Sequence, residues 1–139
     1  MECPVTSEVS RDVLAGLLAH AIRTLPEECC GILLGERSGE REKVTATLPA
    51  ANVHPSPETH FEIDPQALID AHRAARTGGP LVLGYYHSHP NGRAEPSTTD
   101  NAMAAHDGLI WAIIAGDAIT WWRDTPKGFE TLPYADEAR

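Results

Sequence analysis

Between positions 87 and 100 the chain reads HSHPNGRAEPSTTD, and three of these side chains can bind a cation. Successive side chains on a strand alternate, so His87 and His89 leave the same face, about 6.6 Å apart along the chain. Two imidazoles placed this way can converge on one ion. Pro90 ends the strand. The polar stretch 91–96 is long enough to bring the chain back over the pair, where Asp100, one turn inside the next helix, can add a third ligand. Two histidines and one carboxylate leave zinc an open fourth position, the pattern of a catalytic rather than a structural site. Water in that position has its pKa lowered from about 15.7 towards 7. A nearby carboxylate must still take its proton and deliver it to a leaving amine. Two local readings compete with this one. His pairs on strands are common without metal, and Ser97-x-x-Asp100 is also a helix capping box. The uses of Ser97 and Asp100 are compatible: the serine can cap the helix and still turn its hydroxyl to the site.

The elements that must hold these residues are legible in outline. Apolar residues at helical spacing, among them Val13, Leu17 and Ala21, predict a first helix over 7–24, capped by Ser7 or Ser10 and stopped by Pro26. The apolar run 29–34 (CCGILL) predicts a buried strand, 38–42 a turn, and the alternating run 43–51 a partner strand in a hairpin. A loop follows over 52–59, then a short strand at 60–63. Asp64-Pro65 opens a second helix that runs to about Arg76. Strands are expected at 81–89, 109–115, 118–123 and 129–132, with a third short helix from Ser97 to about His106. The sum is one mixed α/β domain over 1–139, with about six strands in one sheet layer and three helices packed on it. Trp111, Trp121 and Trp122 are expected in the core or at a sheet edge.

Composition narrows the function classes. A net charge of −9 with scattered basic residues argues against nucleic-acid binding, which needs clustered Lys and Arg. Solubility accounts for the acidity, and a halophilic host or a basic partner would also fit. Three cysteines, Cys3, Cys29 and Cys30, make no disulfide framework and lack the spaced CxxC pairs of a structural zinc site. Cys29 and Cys30 are expected as small strand residues, at least one of them buried. No run approaches a membrane span, and the N-terminus has no apolar signal core, so a reducing cytoplasm is the expected compartment. His20, His54, His60, His72 and His106 have no ligand spacing to one another and are expected as surface or structural hydrogen-bonding residues. Ser88 faces away from the histidine pair by alternation.

Taken together, HSHP, the gap and SxxD resemble the JAMM motif of the JAMM/MPN+ metallopeptidase family. Upstream, residues 26–35 (PEECCGILLG) look like that family's PxExxGxLxG segment. Gly84-Tyr85-Tyr86, Asn52 and the FEIDP stretch at 61–65 also sit where compact bacterial members have similar residues. The resemblance implies a curved, largely antiparallel mixed sheet of the cytidine-deaminase-like type. It implies that His87, His89 and Asp100 bind zinc, that Glu28 accepts a proton from the attacking water, and that Ser97 stabilises the tetrahedral intermediate. Glu27 is easily confused with Glu28, but side-chain alternation lets only one face the metal, and the motif selects Glu28. It further implies cleavage of a peptide or isopeptide bond, often after the Gly-Gly tail of a ubiquitin-like or sulfur-carrier protein, the compact bacterial members including a peptidase that frees cysteine from such a carrier. A metal-less scaffold of the same fold, a zinc amidohydrolase for small molecules and a non-catalytic metal module are the other readings. Deaminases of related topology need a PCxxC motif that this chain lacks.

Overall fold

A computed structural model describes residues 7–137. Eleven elements follow in order: β1 (Ser7–Ser10), α1 (Arg11–Thr24), β2 (Cys30–Ser38), β3 (Arg41–Ala50), α2 (Pro65–Arg76), β4 (Leu81–Ser88), α3 (Thr98–Met103), β5 (Ile110–Ala115), β6 (Ala118–Thr125), β7 (Gly128–Thr131) and β8 (Tyr134–Glu137). The strands form one sheet of eight in the order β7-β6-β5-β4-β2-β3-β1-β8. β2 and β3 form the expected hairpin, and β2 also pairs antiparallel with β4. β4 and β5 are parallel, as is β1 with both β3 and β8, so the sheet is mixed.

The sheet is strongly curled. Arg123 on β6 reaches Glu42 on β3 at 2.7 Å, although β5, β4 and β2 lie between those strands. Four steps across a flat sheet would separate them by roughly 19 Å. Val13, Leu17 and Ala21, one stripe of α1, pack on a sheet face made by Leu33, Leu83, Ile110 and Ile114. Ser10 caps that helix, its Oγ accepting from Val13 N at 3.3 Å. Leu25, before Pro26, is extended at φ −50° and ψ 141°.

The structure corrects several sequence expectations. Residues 7–10 form a strand, because fully buried Val9 pairs with Val44 beside β3 and the helix starts only after the Ser10 cap. No strand forms at 60–63; a single bridge joins Asn52 and Ile63. α3 stops at Met103 rather than near His106, which sits at φ 57° and donates its backbone N–H to Asp124. β8 had no counterpart in the sequence reading. Cys29 and Cys30 are both buried with free thiols, and burial pushes Cys30 up to about 12. Trp111 and Trp121 are core residues. No helix among the described residues is long and apolar enough to cross a membrane.

Candidate functional site

β4 carries His87 and ends at Ser88, one residue short of the expected strand to 89; His89 follows directly, its N–H still donating to the Ile114 carbonyl of β5 at 2.8 Å. A bulge at Leu33/Leu34 interrupts the pairing of β4 with β2, after which the register places Cys30 opposite His87. On the other side of β4, Gly84 lets β5 approach closely: a Cβ there would lie 1.9 Å from the carbonyl of Ile110. His87 is 0% and His89 5% exposed. Their Nε2 atoms lie 3.0 Å apart. Asp100 Oδ2 is 3.0 Å from His89 Nε2 and 3.2 Å from His87 Nε2. These three buried residues are the group able to hold a metal ion among the described residues.

The tautomer of His89 fits the donor set to a cation. Its Nδ1 lies 2.7 Å from the carbonyl of Arg93, which can only accept, so Nδ1 carries the proton. Nε2 of the neutral ring is then a lone pair, aimed at a carboxylate oxygen and a second ring nitrogen. A cation among the three satisfies this convergence; without one, a second proton on His89 does so, and although burial would lower His89, its hydrogen bonds with Asp100 and the Arg93 carbonyl outweigh it and raise it. The edges of 3.0–3.2 Å are close to the roughly 3.3 Å between ligand atoms of a tetrahedral zinc site.

Asp100 and Ser97 serve two purposes at once. Ser97 Oγ accepts from Asp100 N at 3.0 Å, and Asp100 Oδ2 accepts from Ser97 N at 2.9 Å, so the capping box is complete. The same Oδ2 faces both imidazoles, while the hydroxyl proton of Ser97 is not used by the cap. Burial would raise the Asp100 carboxyl, but hydrogen bonds with His87 and His89 outweigh it and hold it far below the usual range. Burial lowers His87 and keeps it neutral.

Glu28 is 6% exposed. Burial pushes its carboxyl up to about 7, with nearby His89 pulling down and Asp100 pushing up. It lines a cleft of about 430 Å³ together with His89, Arg93, Ser97 and Thr99. All five residues singled out from sequence therefore gather at one place, three converging and two lining the cleft beside them.

Residues 10–124 match the family described as prokaryotic homologues of the JAB domain, Prok-JAB. The chain belongs to the Prok-JAB family. Its relatives include a desampylase from Haloferax volcanii, 32% identical over 78% of this chain and 80% of that one. A probable TtuB-protein conjugate cleaving protease from Thermus thermophilus is 42% identical over 66% of this chain and 59% of that one. A CysO-cysteine peptidase from Mycobacterium tuberculosis is 28% identical over 77% of this chain and 71% of that one. A JAB1/MPN domain protein from Archaeoglobus fulgidus superimposes with a TM-score of 0.61 at 19% identity, covering 92% of this chain and 98% of that one, a likeness of fold alone.

Sequence reasoning missed what surrounds the Prok-JAB residues. Phe61 stacks on the His87 ring at 4.2 Å and 17°, and Trp111 meets its edge at 5.6 Å. The same two rings line a recess of about 310 Å³ together with Leu68 and Met103. Ser88, correctly read as facing away, accepts from Cys29 N at 2.8 Å. No spacing signal marks such partners, since each contact is made across the fold. Of the other histidines, His20 contacts the Tyr86 hydroxyl at 2.8 Å, and His54 stacks on His60.

Proposed function

We propose that this Prok-JAB protein is a zinc-dependent hydrolase of a peptide or isopeptide bond, cutting after the Gly-Gly tail of a ubiquitin-like or sulfur-carrier protein. The observation that carries the reading is the convergence of His87, His89 and Asp100 at the side of a cleft that also holds buried Glu28 and the Ser97 hydroxyl. His87, His89 and Asp100 would be the ligands. Zinc, when bound, would supply Lewis-acid polarisation of the substrate carbonyl and a lowered pKa for the attacking water.

The chain's own groups do the rest. Glu28 lines the cleft beside His89 and Ser97, and burial raises its carboxyl in the metal-free protein, a setting that suits a base that takes a proton and returns it to the leaving amine. Ser97 Oγ–H donates to the oxygen that gains charge as the carbonyl is attacked, a role worth about 2.7–4 kcal/mol for one donor. Arg93 fixes the tautomer of His89 through its carbonyl. Phe61 and Trp111 exclude water from one side of His87.

The names of the relatives support the substrate class: one cleaves protein conjugates, and one is a peptidase for a CysO-cysteine species. Cysteine release from a carrier's C-terminus is the leading form of the proposal. The free, buried thiols of Cys29 and Cys30 suit a reducing cytoplasm.

The deciding experiment offers zinc-loaded protein two substrates, the host's Gly-Gly-ended carrier with one C-terminal cysteine and the same carrier joined to a lysine side chain. Products are read by intact mass. Cleavage by wild type, absent in Glu28→Gln and after chelation, upholds the hydrolase; the substrate cut decides between cysteine release and deconjugation. Zinc binding with neither substrate cut would sink the substrate class and turn attention to small amides.

A further inference from the structure

Glu28 lies outside the sheet. β2 begins at Cys30, so neither backbone group of Glu28 belongs to a strand ladder. Buried main-chain groups must find partners all the same. The N–H of Glu28 donates to the carbonyl of Pro57 at 2.7 Å, and its carbonyl accepts from Asn52 Nδ2 at 3.0 Å. Both partners belong to the loop that joins β3 to α2. The loop is pinched at its neck by the Asn52–Ile63 bridge, by Val53 N to Glu62 O at 2.9 Å and by Asp64 N to Ala51 O at 3.1 Å.

Inside that neck the Asn52 amide is fully used. Nδ2 donates to the carbonyl of His60 at 3.0 Å as well as to Glu28, and lies 3.4 Å from that of Pro57. Oδ1 accepts from His54 N at 3.1 Å and Glu62 N at 3.0 Å. A primary amide has two N–H donors and one oxygen with two lone pairs, so no capacity is left over. The loop it organises also carries Phe61, stacked on His87. One side chain thus ties the main chain of Glu28 to the segment that backs a metal-site imidazole.

We propose that Asn52 is a positioning residue, holding Glu28 at its working distance from the His87–His89–Asp100 group by clamping the Glu28 carbonyl to the loop. The role acts through Glu28 and rests on the reading of Glu28 as the base. Aspartate has the same shape but cannot donate, so it would set a carboxylate oxygen against the carbonyls of Glu28 and His60.

The test compares wild type, Asn52→Ala and Asn52→Asp as full-length zinc-loaded protein. Backbone amide exchange by NMR, zinc stoichiometry, and kcat and KM on the carrier–cysteine substrate are measured for each. Both variants are expected to exchange the Glu28 N–H faster by roughly fivefold or more, because the loop whose Pro57 carbonyl accepts that N–H is no longer tied to Glu28 by the Asn52 bond, a loss of about one hydrogen bond to the loop. The His54 and Glu62 amides should quicken in Asn52→Ala but much less in Asn52→Asp, which keeps an acceptor. Amides of β4 and β5 should be unchanged and one zinc retained. In both variants kcat should fall by about 10- to 100-fold with KM little altered, since small displacements of reacting groups are costly. Unchanged Glu28 exchange in both variants, or an Asn52→Asp protein that works like wild type, would overturn the clamp. If wild type cuts neither carrier substrate, the exchange pattern still decides the clamp, and the substrate class falls alone.

Discussion

At the residue scale, the site holds two carboxyl groups that differ sharply in proton affinity. Glu28 sits near 7 because it is buried, while Asp100 stays ionised because two imidazoles hydrogen-bond to it. Their roles separate by substitution. Glu28→Gln should keep one zinc per chain by elemental analysis and lose turnover by roughly a hundredfold or more. Asp100→Ala should lose most of the metal, because two imidazoles alone remain. Zinc loss in the first with retention in the second would reverse the assignments. The raised carboxyl has a stability consequence in chelator-treated protein. The folded state holds the Glu28 proton more tightly than the unfolded chain, so this contribution is complete below about pH 4.5 and disappears as pH rises through about 7. It amounts to at most about 3 kcal/mol. Urea unfolding at pH 5 and pH 8 should show wild type losing more stability across that interval than Glu28→Gln does.

At the element scale, short local devices aim the site. α3 has six residues and depends on its capping box. Ser97→Ala should cost about 1 kcal/mol of stability through the cap and, separately, lower kcat through the missing hydroxyl. A thermal shift without a rate change would confine Ser97 to the cap. The β4–β5 contact tolerates no side chain at Gly84, where a Cβ would meet the Ile110 carbonyl at 1.9 Å. Gly84→Ala must part from β5 the strand that carries His87 and leads into His89, so we expect a loss of about 3 kcal/mol or more, measured by denaturant unfolding. Helices were easier to read than the segment before them. Ser10, Asp64 and Ser97 all cap as their types suggest, because capping is decided within one turn. Residues 7–10 misled because Val9 fits a helical stripe and a strand equally well, and the choice was made by β3.

At the scale of the whole molecule, curling of the sheet brings β3 and β6 together. Arg123 and Arg37 both hydrogen-bond to buried Glu42. Burial would raise that carboxyl, but the bonds from Arg123 and Arg37 outweigh it and keep it below its ordinary value. Its stabilisation is therefore full above the ordinary carboxylate range and fades as pH falls through and below about 4. Arg123→Ala should destabilise by about 3 kcal/mol, the lower end for a broken buried pair, because Arg37 still engages one oxygen. The variant should also lose less stability than wild type between pH 6 and pH 3. A variant as stable as wild type would mean that the contact does not fasten the curl.

Much of the candidate site was readable from residue types and spacing alone. The shared face of His87 and His89 follows from strand alternation, the turn at Pro90 from its ring, and the position of Asp100 from the capping box with Ser97. These are relations over a few residues, where backbone geometry leaves little freedom. The choice of Glu28 over Glu27 came from motif resemblance, and its surroundings were decided at long range. Ser88 and Cys29, 59 positions apart, are joined because β2 runs antiparallel to β4. Phe61 reaches His87, and Asn52 reaches Glu28, only after the loop closes on itself. The strand choice at residues 7–10 and the curl fastened by Glu42 and Arg123 are of the same kind. Local sequence determines which groups can do chemistry and which way they point along their own element. The distances between them, and the burial that sets their proton affinities, exist only once distant strands pair and exclude water.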